Sequence, residues 1–197
     1  MGFNTDLIWF IRDGSTMKNR FVEWSKKEYT ARQRFILLIP LGILFVVIIP
    51  LILLVLPSYI DRWLNIPRLI FEPINLTVAI FLILSGLIFA IWSIQVQFKM
   101  GKGTPAPLMP TQKLVVTAPY IYCRNPMAFG TIILYFGIVV FTGSLSSFVL
   151  LALMTLALLM YIKFVEEKEL EARFGQEYAE YKKRTPFLIP RSGKKEE

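Results

Sequence analysis

Two stretches of this chain, Phe35 to Leu56 and Ile74 to Phe98, contain no charged residue at all. Each is about as long as the roughly 20 residues that carry a helix across bilayer hydrocarbon. A third apolar region, Met127 to Val165, is about twice that length and is broken near its middle by Thr142-Gly143-Ser144. That break predicts a hairpin of two helices joined by a very short turn, which makes them antiparallel neighbours. The predicted fold is therefore all-α: a polytopic membrane helical bundle of about four transmembrane helices, with an amphipathic amino-terminal segment and a cytosolic carboxy-terminal helix.

The polar intervals divide the chain further. Met1 to Arg34 mixes Trp9, Phe10, Phe21 and Trp24 with Lys and Arg, which suits helical segments lying in the headgroup layer or, equally, a cap packed on the protein. It has no continuous apolar core of a cleavable signal. Residues 35–98 hold the first two spans and an outer connector over Tyr59 to Phe71. Residues 99–190 hold a loop, the hairpin and a final helix, and 191–197 form a charged tail expected to be disordered. Pro40, Pro50 and Pro57 should kink the first span, which a membrane helix tolerates when neighbours satisfy the freed carbonyls. Ser85, Gly86 and Ala90 give the second span a face that another helix can approach closely. Four prolines and two glycines between Lys99 and Arg124 rule out one regular helix there. Glu166 to Lys183 has helical character, with Tyr178 and Tyr181 on one face, a break at Gly175, and an end set by Pro186 and Pro190.

Composition agrees with this division: 55% of the 197 residues are hydrophobic and mean hydropathy is +0.54. The net charge of +8 is distributed by segment rather than gathered on a soluble module, which argues against a nucleic-acid partner. Lys and Arg crowd before the first span, between the second and third, and after the fourth, while the 142–147 turn has no charge. Positive-inside reasoning then places both termini and the 99–125 loop in the cytoplasm of an integral, multi-pass protein. Cys123 is the only cysteine and histidine is absent. Internal disulfides are excluded, no metal is expected, and a general base would have to be a carboxylate, a Tyr, a Lys or the substrate itself.

Two polar clusters meet at the cytoplasmic face. Pro126 restricts Asn125 to extended geometry and suits a helix start, so Arg124 and Asn125 should stand at the mouth of the third span, where the helix terminus attracts anions. Glu166 and Glu167 lie where the fourth span leaves the membrane, and the short turn brings Glu166 to the level of Arg124 and Asn125. Each cluster has a plainer reading too: Arg124 as an anchor, and Glu167 paired with Lys163 on a solvated helix face.

Thr117-Ala118-Pro119-Tyr120, Arg124-Asn125-Pro126, the Glu166-Glu167 pair, and Phe174-Gly175-Gln176-Glu177-Tyr178 with Tyr181 together resemble the isoprenylcysteine carboxyl methyltransferase and phospholipid methyltransferase family of integral membrane enzymes. The likeness covers roughly residues 85 to 190. It implies S-adenosylmethionine as cofactor and a lipophilic small molecule as methyl acceptor, an isoprenoid or lipid carboxylate being favoured. By the same resemblance the cofactor contacts Gln112, Lys113, Leu114, Val115, Tyr120, Asn125, Pro126, Met127, Ala128, Glu166 and Tyr178, while Arg124, Glu166 and Glu167 are the candidate catalytic residues. Asn125 stands where the family usually has His, Ala128 where it has an aromatic residue, and Ile162 where an Arg contacting the prenylcysteine carboxylate is expected, with Lys163 the nearest cation. These departures argue against a prenylated-protein substrate. A prokaryotic inner membrane is the expected location. A non-catalytic scaffold or transporter, or an NADPH-dependent lipid reductase of related architecture, are the competing readings.

Overall fold

The computed structural model describes residues 30–101 and 111–191. The amphipathic segment expected before residue 30 and the tail beyond Arg191 lie outside them. All regular structure among the described residues is helical. Thr30 opens the first helix by a reciprocal cap: its hydroxyl accepts from the Gln33 amide and its own amide donates to the Gln33 side chain. Helix α1 (Ala31–Ile43) passes through a π turn (Leu44–Ile48) into α2 (Ile49–Trp63). Helix α3 (Ile74–Val96) ends in a second π turn (Gln97–Gly101). Helices α4 (Pro126–Thr142) and α5 (Leu145–Tyr161) form the hairpin, and a third π turn (Ile162–Glu166) leads into α6 (Glu167–Phe174) and α7 (Gln176–Arg184).

Three continuous helical runs, Leu38–Trp63, Ile74–Gly101 and Leu145–Phe174, are long and apolar enough to cross a membrane. Helix α4 is shorter, about 25 Å at about 1.5 Å per residue, and packs along α3 with its carboxy-terminal end joined to α5. The lipid-facing surface is unmistakable: Phe81, Ile88 and Val46 are 71%, 65% and 69% exposed, a display that hydrocarbon accepts and water does not. The connector expected over Tyr59 to Phe71 is shorter than that, because the helix runs on to Trp63 before the chain turns.

Helices α3 and α4 touch backbone to backbone. A Cβ on Gly86 would collide with the backbone of Leu134 and Gly130, and one on Gly130 would lie 2.7 Å from the Ala90 nitrogen. The small face foreseen at Ser85, Gly86 and Ala90 is thus matched by glycine on the partner. Leu53, Tyr135, Val139 and Leu151 close the core between α2, α4 and α5.

The prolines of the first span explain two further contacts. Pro50 has no N–H to give in the π turn, where Ile49 already bonds the carbonyl of Leu44, so the Phe45 carbonyl is left over; the Tyr135 hydroxyl donates to it at 2.7 Å. Pro57 likewise frees the carbonyl of Leu53, four residues earlier, and the Ser147 hydroxyl takes that place at 3.1 Å. At the same end Gly143 turns the hairpin in the left-handed region (φ 59°), its carbonyl accepting from Leu69, and buried Asp61 accepts from the Ser146 amide at the start of α5. The hairpin turn therefore sits under the connector, at the end of the bundle opposite the charged clusters.

Candidate active site

Three segments build the other end. The loop 111–125 leads into α4, the π turn and α6 continue α5 beyond its apolar stretch, and α7 folds back beside them. The reversal happens at Gly175, whose φ of 54° suits glycine. It brings Lys182 to Glu171, 2.7 Å away. Tyr178 and Tyr181, one turn apart, are both buried against the loop, and the Tyr181 hydroxyl donates to the Tyr120 carbonyl at 2.7 Å.

Glu167 is the hub. Its carboxylate lies 2.5 Å from Arg124, 2.9 Å from Lys182 and 3.4 Å from Lys163. The Arg124 and Glu167 side chains are only 8% and 3% exposed, so the pair sits where screening is weak. It is a contact of charges rather than an aligned hydrogen bond. Lys182, held by Glu171 and then Glu167, has its pKa raised above the ordinary lysine value. Phe187 completes the arrangement: its ring centre is 5.5 Å from both the Arg124 guanidinium carbon and the Lys163 ammonium.

Glu166 lies at the level of Arg124, both acting on the Tyr178 phenol, but the two do not pair. Successive helical residues point about 100° apart, and the one that turns toward Arg124 is Glu167. Glu166 is half-buried, in no ion pair with a described residue, and close enough to Tyr120 for its charge to help raise that phenol's pKa, after burial itself. Tyr120 is buried and donates to Gln97 at 2.7 Å. Asn125 is neither extended (φ −123°, ψ 57°) nor a side-chain cap; its amide donates to the Phe187 carbonyl at 2.9 Å.

The other predicted residues form the walls. Pro126 and Ala128 are buried in the first turn of α4 and Met127 is half-buried. Val115 is buried against Gly101, the Gln112 amide donates to the Gly101 carbonyl, Leu114 is half-buried and Lys113 is exposed. Cys123 is fully buried, and burial pushes its thiol up to about 11.

Sequence reasoning passed over several members. The Arg173–Glu169 pair (2.9 Å, both side chains buried) was legible as i,i+4 spacing, and Arg173 also bonds the Thr111 carbonyl, tying α6 to the loop. Lys182 and Phe187 reach the cluster only because the chain reverses at Gly175, and no local spacing announces that. Two concavities of about 490 and 310 Å³ open at the opposite end, around Asp61, Arg62 and Arg68 and around Arg68, Glu72 and Asn75. Neither includes a residue of the cluster. The clustered charges, not the concavities, form the candidate site.

An all-helical bundle with lipid-facing walls and a buried cluster of charges where two spans leave the bilayer defines a polytopic membrane protein with a polar site at the membrane surface. The family model for phospholipid methyltransferases matches residues 74–177, more than half of the chain, and the chain belongs to that family. It is thus a membrane methyltransferase acting on lipid-related chemistry. The match opens at the first residue of α3 and closes in the first turn of α7, taking in the loop, the hairpin and both glutamates. No curated protein and no solved structure matches the chain.

Proposed function

We propose that the end of the bundle bounded by Tyr120, Asn125, Glu166 and Tyr178 binds S-adenosylmethionine and methylates a lipophilic acceptor that enters sideways from the bilayer, on the cytoplasmic face. The observation that carries this reading is the division of labour between adjacent glutamates: Glu167 is engaged by Arg124, Lys163 and Lys182, while Glu166 pairs with no cation among the described residues. The residues fit the donor. A half-buried carboxylate beside a phenol can accept an ammonium or a ribose hydroxyl, and the side-chain oxygen of Asn125 remains an acceptor. When bound, S-adenosylmethionine supplies an electrophilic methyl group on a positively charged sulfur.

The chain's own contribution is placement and exclusion of water. Tyr120, Tyr178 and Tyr181 close the loop against α7, and the Arg124–Glu167 pair fixes the start of α4 to the exit of α5. Arg124 is buried in its contact with Glu167, whereas Lys163, more loosely placed at 3.4 Å from Glu167, keeps a side chain 49% exposed and is a cation that an anionic acceptor can reach. A carboxylate acceptor needs no proton removed, which suits a chain without histidine.

Calorimetry on detergent-purified protein tests the reading. S-adenosylhomocysteine should bind the wild type and bind Glu166→Gln at least tenfold more weakly, while Glu177→Ala keeps wild-type affinity. Equal affinity in wild type and Glu166→Gln would remove Glu166 from the site, and binding of NADPH alone would replace the assignment with a reductase.

A further inference from the structure

Beyond α7 the chain does not leave the protein. The Arg124 amide donates to the Pro186 carbonyl at 2.9 Å, Asn125 donates to the Phe187 carbonyl at 2.9 Å, and the Arg191 amide donates to the Tyr122 carbonyl at 3.0 Å. Both ends of a short strap, Pro186 to Arg191, are thereby fastened to the loop that starts α4. Its middle is Phe187-Leu188-Ile189, an apolar triplet between two prolines that follows a helix as charged as Gln176–Arg184.

Within the strap the side chains have different fates. Phe187 covers Arg124 and Lys163. Ile189 is 74% exposed, and only Trp63 is more exposed among the large apolar side chains described. A single exposed isoleucine needs no explanation. Its height does. The strap is pinned to Tyr122, Arg124 and Asn125, immediately before the apolar helix α4, and its Phe187 meets Lys163, immediately after the apolar stretch of α5. At that level Phe164 and Val165 are themselves 58% and 42% exposed, continuing the lipid-facing wall to the strap. Apolar side chains at this depth with cations beside them are what the boundary between acyl chains and headgroups accommodates.

We propose that Pro186–Arg191 is a membrane-interface anchor: Leu188 and Ile189 insert among the outermost acyl segments, Arg191 lies against lipid phosphate, and the bilayer thereby holds Phe187 over Arg124 and Lys163. The strap links contact with lipid to the position of the charged cluster. Its depth can be read without any methyl transfer, so the proposal stands or falls independently of the donor assignment.

Spin labelling of the full chain in phospholipid nanodiscs decides it. Cys123 is fully buried, so a nitroxide directed to Ile189→Cys reports that position alone; Phe164→Cys and Glu180→Cys serve as lipid-side and water-side references. Because Ile189 is exposed, the substitution leaves the fold intact, and equal melting temperatures confirm this. Collision with oxygen should exceed collision with a water-soluble nickel chelate at position 189, approaching the ratio at Phe164→Cys. A ratio matching Glu180→Cys would overturn the proposal, as would spin–spin broadening at position 189, which would make the strap a contact between two copies of the chain.

Discussion

Arg124 and Glu167 are individually ordinary and jointly decisive. Removing one charge of a buried pair strands the other, at a cost of about 3–5 kcal/mol, whereas removing both costs much less. Glu167→Gln, which strands Arg124, should lower stability by an amount of that order; Arg124→Gln leaves Glu167 with Lys182 and Lys163 and should cost less, and the double variant should lose well under the sum of the two in a thermal-melt cycle. Additive losses would show that the two side chains do not act as a pair. Lys182 supplies a pH signature. Its pKa is raised by Glu171 and Glu167, so its stabilising contribution is complete below the ordinary lysine value of 10.5 and is lost as pH climbs through the higher folded value. The melting temperature of wild type should therefore fall more steeply than that of Lys182→Met above that value, and parallel curves would contradict the raised pKa. Cys123, buried with a pKa of about 11, should resist maleimide at neutral pH until the protein is unfolded.

Helix contacts follow the same logic one level up. Gly86 and Gly130 let α3 and α4 meet at backbone distance, so Gly86→Val must push the helices apart; overpacking of this kind costs about 1–3 kcal/mol, read as a lower melting temperature in detergent. Gly42, half-buried but with nothing within 4 Å of where a Cβ would stand, is the control, and Gly42→Ala should be nearly neutral. The elements themselves were largely legible in the sequence. Uncharged runs delimit spans because hydrocarbon tolerates little else, Thr142-Gly143-Ser144 marks the hairpin, and Gly175 marks the break in the final helix. Boundaries were less legible. The first helix continues to Trp63 and the second ends in a π turn, since neither aromatic nor amide residues stop a helix at the membrane surface. Which of two adjacent glutamates faces Arg124 depends on helix phase across a π turn, and sequence period does not show that turn. Lys182 and Phe187 joined the cluster through a chain reversal whose direction depends on tertiary packing.

For the molecule as a whole, the distribution of Lys and Arg predicts an orientation. The charge-free turn around Ser146 should face away from the cytoplasm, so a cysteine placed there in a Cys123→Ser background should react with an impermeant maleimide only from the outer side. Labelling only from the cytoplasm would invert the topology and the face assigned to the methyl-transfer site.

The carbonyls of Phe45 and Leu53 also have a meaning in time. Their hydroxyl donors, Tyr135 and Ser147, are synthesised 90 and 94 residues later. The first helix thus enters the bilayer with two polar gaps that hydrocarbon penalises, and it is completed only when the hairpin arrives. A ribosome-bound chain stopped after α3 should hold its first helix less securely than one that includes α5, and the quality-control machinery of the membrane should clear the shorter product first. The hairpin supplies the partners of the first helix, whereas Glu167, Tyr178, Lys182 and Phe187 follow it in the chain, so the first helix is completed before the charged end comes together.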